Sequence, residues 1–159
     1  MRKIVTVTLL FMFLVISTPV ISESGNITLP NNYKSWYHVK SMVIKKGHPL
    51  FKPFGGFHDI YANKNAIKGY NQGKFPSGSV IVFDLFETID DGNAITEGKR
   101  KFIGVMKKNN DGSSETSGWS YEVFAGDKLK AKGVNGAKDC HSCHSSASGN
   151  DFVFSTLKK

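Results

Sequence analysis

Alternation of apolar and polar residues predicts a series of extended segments separated by turns. Tyr37 to Ile44 alternates with a period of two. Ser79 to Phe86 is rich in β-branched and aromatic residues, as expected for a strand buried on both faces near its start. Further strands are predicted at His58 to Ala62, Lys101 to Lys107 and Trp119 to Phe124. About five strands with short connections indicate an antiparallel sheet.

The segments between these strands predict short helices and loops. Asn63 to Gln72 has apolar residues on one helical face, and short helices are also expected at Tyr33 to Trp36 and Asp127 to Lys132. Residues 23–32 are polar and predict a leader strand or a loose arm. Gly, Pro, Asn and Asp concentrate in turns or loops at 47–49, 52–56, 75–78, 90–93 and 109–114. The pattern is that of one mainly β domain of the α+β class.

The N-terminus has the composition of a secretory signal. A basic start, Met1-Arg2-Lys3, precedes thirteen residues from Ile4 to Ile16 that only two threonines interrupt. A spanning helix needs about 20 apolar residues, so an uncleaved anchor is the less favoured alternative. We therefore predict a signal peptide at 1–22, a domain at 23–159, and an exported, periplasmic protein with no membrane attachment after cleavage.

The charge balance gives little information about partners. The chain has 159 residues, and cleavage after residue 22 removes two basic side chains, leaving 19 basic and 13 acidic residues. The basic residues are scattered, and no stripe interleaves them with aromatic residues, so nucleic acid is not expected as a partner. Solvated lysines that confer solubility explain most of this charge, and an acidic redox protein remains an open alternative.

Cys140-His141-Ser142-Cys143-His144 has the C-x-x-C-H spacing of a c-type haem attachment site. Two cysteines three residues apart lie on one side of a helical turn, where both thiols can reach one porphyrin edge. The next residue, His144, can then place its imidazole under the iron as the proximal ligand. The motif predicts one covalent haem c, and the expected export agrees with attachment outside the cytoplasm.

Other interpretations of this motif remain open. A closed zinc site needs four ligands, and no second Cys/His pair appears in the sequence. A redox-active C-x-x-C is usually set in a βαβ pattern, which is missing here. The spacing could also arise by chance.

Several segments together resemble the cytochrome P-460 and cytochrome c′-beta family. They are Trp36-Tyr37, Gly56 to Asn63, Phe75 to Val82, Gly118 to Glu122, Cys140 to His144, and Asp151 to Phe154. The resemblance covers nearly the whole chain after the signal peptide. It implies a curved antiparallel sheet with short helices, a C-terminal haem-attachment helix, and a homodimer.

The resemblance also implies two candidate activities. P-460 enzymes oxidise hydroxylamine with a haem cross-linked to a lysine, whereas c′-beta members bind nitric oxide and carbon monoxide in an apolar distal pocket. The lysine position corresponds to Phe83, and the sequence has no lysine between Lys74 and Lys99. An acidic position after the motif corresponds to about Ser146, and a distal arginine of some enzymes corresponds to His58. These departures favour the c′-beta type.

Phe83 and His58 are therefore the predicted residues of the distal pocket. Phe83 would crowd the iron with an apolar ring, and the alternative is an ordinary core residue. His58 could donate a hydrogen bond to a bound ligand or ligate iron, and the alternative is a strand histidine satisfied by solvent or a carbonyl. His38 and His48 have weaker claims, and His141 is expected to be an exposed spacer.

Three functions follow from these expectations. The first is a five-coordinate haem that captures nitric oxide, or another small nitrogen-oxide or gaseous ligand. The second is an enzyme that oxidises hydroxylamine or nitric oxide. The third is an electron carrier with a sixth ligand, for which Met42 and Met106 are candidates, although a Met in a strand is more often core.

Overall fold

One antiparallel sheet organises the protein in the computed structural model, which describes residues 27–109, 115–126 and 129–157. Within these residues six strands follow one another across the sheet in chain order, so each pairs with the next. They are β1 (Tyr37–Ile44), β2 (Gly56–Ala62), β3 (Val80–Asp90), β4 (Ile95–Lys108), β5 (Trp119–Ala125) and β6 (Leu129–Lys130). The predicted signal peptide at 1–22 lies outside the described residues.

The helical segments of the described residues are short. They are a 3₁₀ turn at Tyr33–Ser35, α1 (Phe51–Phe54), α2 (Lys64–Gln72), a π-helical turn at Gly136–His141, α3 (Ser142–His144), and a 3₁₀ segment at Ser145–Asn150. The Asn63 side chain caps α2 by accepting from the Ala66 amide at 2.9 Å. Gly73 ends α2 in the left-handed conformation. No helix of these segments has the length and apolar character needed to cross a membrane.

The antiparallel sheet with short helices confirms the predicted fold class, with six strands where about five were expected. Two local predictions were wrong. Phe51–Phe54, which includes part of the expected loop at 52–56, forms a helical turn. Leu129–Lys130, inside the expected helix at 127–132, forms β6, because these residues pair with Phe124 and Ala125 of β5. A partner strand thus decides their conformation.

The sheet carries apolar side chains on both faces. We call the side that carries Ile81, Phe83 and Tyr121 the motif face, because the Cys140–His144 segment packs against it. One part of it is covered by α2 and the C-terminal segment, in a core of Val39, Ala62, Ala66, Phe75, Ile81, Met106, Trp119 and Val153. The opposite face buries Ile27, Tyr33, Val82, Ile103, Val105 and Phe124. The predicted burial of β3 on both faces near its start is confirmed.

A buried ion pair joins β3, β4 and the N-terminal segment on the opposite face. Asp84, 1% exposed, accepts from Arg100 through both carboxylate oxygens, at 2.7 and 3.2 Å. The Tyr33 hydroxyl donates to the same carboxylate at 2.7 Å. Burial and the carboxylate together raise the pKa of Tyr33, so the phenol keeps the proton that it donates. This network holds the 3₁₀ turn on the sheet.

Asp84→Asn should lower the free energy of unfolding by about 3 kcal/mol, because it removes the anionic half of a buried, hydrogen-bonded pair. Urea unfolding measures this loss. The matched control is Lys45→Met, since Lys45 and Asp90 form an exposed pair 3.7 Å apart; its loss should stay below about 1 kcal/mol. Equal losses in the two variants would contradict the role of the buried pair.

Candidate functional site

His144 is the last residue of α3, and one of its ring nitrogens already makes a hydrogen bond. Its Nδ1 lies 2.7 Å from the Phe152 carbonyl oxygen, and a carbonyl only accepts, so Nδ1 carries the proton and donates. The second nitrogen, Nε2, therefore has a free lone pair. Burial lowers the pKa of His144, which favours the neutral ring. A neutral imidazole oriented through Nδ1 is the usual form of a metal-ligating histidine.

The two cysteines precede this histidine on consecutive helical turns. Cys140 lies in the π-helical turn and Cys143 in α3, and both are free thiols, the first partly exposed and the second exposed. The turn begins at Asn135, whose side chain accepts from the Lys138 amide at 3.0 Å. Burial and the nearby Asp139 carboxylate raise the pKa of Cys140. The raised pKa keeps the Cys140 thiol protonated, and the exposure of both thiols leaves them open to an added group at the surface of the helix.

A zinc site at this motif would lack ligands. Among the described residues, no three His, Cys, Asp or Glu side chains come together in a group that could hold a metal ion directly. The chemistry of the donor set is instead that of two thiols and one imidazole, as a covalently attached haem requires.

Tyr121 of β5 contacts both histidines of the motif from the sheet. Its ring centroid lies 5.1 Å from that of His144 and 5.7 Å from that of His141. Its hydroxyl is 3.1 Å from His141 Nδ1. His141 is 8% exposed and its ring also packs on Phe152, so the prediction of an exposed spacer was wrong. His141 instead anchors the motif to the sheet.

Aromatic rings line another part of the motif face. The Phe83 ring centroid lies 4.7 Å from His58, 6.0 Å from Phe54 and 5.9 Å from Phe102. We call these four residues the aromatic wall. The three Phe residues are only partly buried. Phe83 therefore lies at the margin of a surface that protein atoms leave partly uncovered, and the structure brings both predicted pocket residues together.

His58 is the polar group within this wall. It is 1% exposed, and its Nδ1 has no hydrogen-bond partner. Burial lowers its pKa, and Lys40 lowers it further, whereas Asp59 acts in the opposite direction. A buried imidazole nitrogen with no partner is costly, because it has lost its water without gaining another hydrogen bond. It is the kind of atom that a bound group can satisfy.

Glycine stands between the aromatic wall and the motif. Phe83 pairs with Gly104 on β4, which pairs with Val123 on β5, two residues from Tyr121 on the same face. A Cβ added at Gly104 would meet no atom closer than 3.8 Å, and its near neighbours all belong to Phe83. Gly104 therefore leaves room above the sheet that a larger side chain would occupy. The free thiols, the oriented imidazole of His144, the unpartnered Nδ1 of His58 and this room fit a haem.

The remaining candidates lie elsewhere. His38 is 3.1 Å from Asp59, and His48 Nδ1 accepts from the Leu50 amide in an exposed turn. Met106 is buried in the core of the motif face, and Met42 is 44% exposed on β1. Phe54 and Phe102 were not among the predicted distal residues, although they pack near Phe83 in the structure, and no motif or spacing in the sequence marks them. Nothing in the sequence pattern marks the role of Tyr121.

The structure is a β-sheet protein that carries a C-x-x-C-H segment on one face of its sheet, and a comparison with protein-family models gives its class. Residues 30–155 match the Cytochrome P460 family model. The chain belongs to the cytochrome P460 family, which implies haem binding. A comparison with curated proteins gave no match.

The stability of the apoprotein should depend on His58 at mildly acidic pH. Its folded-state pKa lies below 6.5, so below that pH the unfolded chain binds more protons and stability falls. His58→Leu should therefore lose less free energy of unfolding than the wild type between about pH 7 and pH 5. Urea unfolding across this range tests it. Identical pH profiles for the two proteins would contradict a buried neutral His58.

Proposed function

We propose that this protein is an exported c-type mono-haem cytochrome that binds nitric oxide and carbon monoxide at a five-coordinate haem. One observation carries the proposal: His144 and the aromatic wall lie on the same face of the sheet. The Nδ1 of His144 donates to the Phe152 carbonyl, and the wall presents mainly apolar rings. His144 would provide one ligand for the haem iron. The wall offers a ligand-binding side with few polar groups.

Cys140 and Cys143 would hold the haem through thioether bonds, and His144 Nε2 would ligate its iron. When bound, the haem supplies an iron that changes oxidation state and accepts a small ligand on its open side. The protein orients the proximal imidazole through the Phe152 carbonyl and Tyr121. The thioethers keep the cofactor in place when an axial ligand exchanges.

The aromatic wall would form the distal side. The Phe54, Phe83 and Phe102 rings offer no hydrogen bond, so they disfavour water and polar intermediates at the iron. Nitric oxide and carbon monoxide bind ferrous haem without such a bond. His58 Nδ1 is the group that could donate a hydrogen bond to a ligand reaching that depth, and its neutral ring matches an uncharged ligand.

Hydroxylamine oxidation is the alternative that the family suggests. Its cross-linking lysine corresponds to Phe83, and β3 contains no lysine. Lys40 lies in the same row of the sheet, but two strands away on β1. A strongly red-shifted ferrous Soret band, or a haem peptide containing a lysine, would support this alternative and contradict ours.

Electron transfer with a sixth protein ligand is the other alternative. Met106 is packed in the core of the motif face, which argues against its movement to an iron. A low-spin ferrous spectrum with sharp α and β bands would support a carrier. Export, a homodimer and an acidic redox partner are further parts of our proposal that cell fractionation, sedimentation and binding assays can test.

Covalent attachment gives the first test. Haem should remain with the polypeptide through acid–organic extraction, and the double variant Cys140→Ala, Cys143→Ala should lose it. His144→Ala should keep the thioethers but change the ligation of the iron, because anchors and ligand are separate residues. Retention of covalent haem by the double cysteine variant would refute the assignment of the motif.

Phe83→Ala should speed carbon monoxide binding to the ferrous protein, because the ring would crowd the ligand side. Stopped-flow mixing measures the rate. The control is Phe124→Ala, since Phe124 is 2% exposed in the core of the opposite face. That variant should lose about 3–5 kcal/mol of stability and keep the wild-type rate. An unchanged rate in Phe83→Ala with a similar loss of stability would make Phe83 a core residue.

A further inference from the structure

Two consecutive residues after the motif adopt the left-handed conformation. Asp151 has φ 48° and Phe152 has φ 67°, and neither is glycine. Side chains disfavour this region, and a bulky residue such as Phe rarely adopts it. Such a turn persists where surrounding contacts impose it, and these positions often lie at functional sites.

Three hydrogen bonds fix the conformation of Asp151. Its carboxylate accepts from Lys108 Nζ at 2.8 Å and from the Phe75 amide at 2.8 Å. Its own carbonyl accepts from the Trp119 indole at 2.9 Å. Three acceptor atoms of one residue are thus tied to three different parts of the chain.

Lys108 is the other half of this arrangement. Its side chain and that of Asp151 are each 12% exposed, so the ion pair is largely removed from water. Lys108 Nζ also donates to the Ser117 carbonyl at 3.0 Å and lies 5.0 Å from the centroid of a Trp119 ring. The end of β4 and the start of β5 therefore fix the position of Asp151.

Phe152, the residue after Asp151, provides the carbonyl that accepts the hydrogen bond from His144. The Phe152 amide donates to Ala147 at 2.9 Å, and the Phe152 carbonyl accepts from His144 Nδ1 at 2.7 Å. If the turn at Asp151 relaxed to an ordinary conformation, this carbonyl would rotate away from the imidazole. The ion pair and the ring nitrogen are thus connected through one strained turn.

We propose that Lys108 and Asp151 are positioning residues for the proximal ligand, and that they tune the iron through the Phe152 carbonyl. This inference rests on the proposed ligation of iron by His144. A hydrogen bond from Nδ1 makes the imidazole a stronger donor through Nε2. Stronger donation favours ferric over ferrous iron, so the ion pair lowers the reduction potential.

Asp151→Ala tests this role, because it removes both carboxylate contacts and disfavours the left-handed turn. We expect the ferric-to-ferrous preference to fall about tenfold, which raises the potential by about 59 mV for one electron. The iron–histidine stretching frequency of the ferrous protein should fall as well. Spectroelectrochemistry and resonance Raman spectroscopy on the haem-loaded protein measure the two effects.

Two further variants separate positioning from stability. Asp151→Asn tolerates the left-handed conformation and can still accept from the Phe75 amide, but it loses the ion pair, so it should shift the potential in the same direction as Asp151→Ala and by less. Lys108→Met should shift the potential in the same direction as Asp151→Ala, and it provides the test if Asp151→Ala does not fold. Asp84→Asn is the control, because it breaks a buried pair on the opposite face and should leave the potential unchanged.

The results distinguish this inference from the proposed function. If Asp151→Ala and Lys108→Met lose stability but keep the wild-type potential and stretching frequency, the ion pair is structural and the inference is wrong. An equal shift in Asp84→Asn would also refute it, since any destabilisation would then suffice. The wild type and His144→Ala test the ligation itself. If the wild type shows no iron–histidine band, or if His144→Ala keeps that band, His144 does not ligate the iron. The proposed ligation and the inference that rests on it are then both wrong.

Discussion

The register of β3 against its two neighbours is the constraint on which the site depends. Phe83 pairs with Ile60 on one side and with Gly104 on the other. Because successive side chains of a strand point to opposite faces, a slip of one residue would turn Phe83 away from the motif face and bring Asp84 onto it. In this register the Asp84 carboxylate lies on the opposite face, where Arg100 and Tyr33 satisfy it.

The same register explains why one sheet can carry both a core and a binding surface. Where Ile81 and Met106 lie side by side, α2 and the C-terminal segment complete an ordinary apolar core. One row further along β3, the neighbour of Phe83 is Gly104, which has no side chain to cover the sheet. A group of apolar rings that stay partly exposed can mark a binding surface.

The local sequence pattern was enough to predict most strands, but not the contacts between segments that are separate in the chain. The β-branched residues of β3 made that strand evident, and the cysteine spacing indicated the motif without any fold. Leu129–Lys130 is too short to show a period, so β6 is apparent only beside β5. His141 is buried because Tyr121 arrives from a distant part of the chain. The segment Asp151 to Phe154 was part of the family resemblance, but nothing in it marked a left-handed turn, which is recognised in a sequence chiefly by glycine or asparagine.

The chain order of the sheet has a consequence for assembly. Among the described residues, each strand pairs only with its neighbours in chain order, so the paired segments are close in the sequence. Pairing them requires the closure of short loops only, which costs little conformational entropy. β1 to β6 all precede Cys140 in the chain, so every residue that pairs in the sheet is N-terminal to the motif. In the function that we propose, the two thiols would therefore meet the haem on a surface that strands from the earlier part of the chain form.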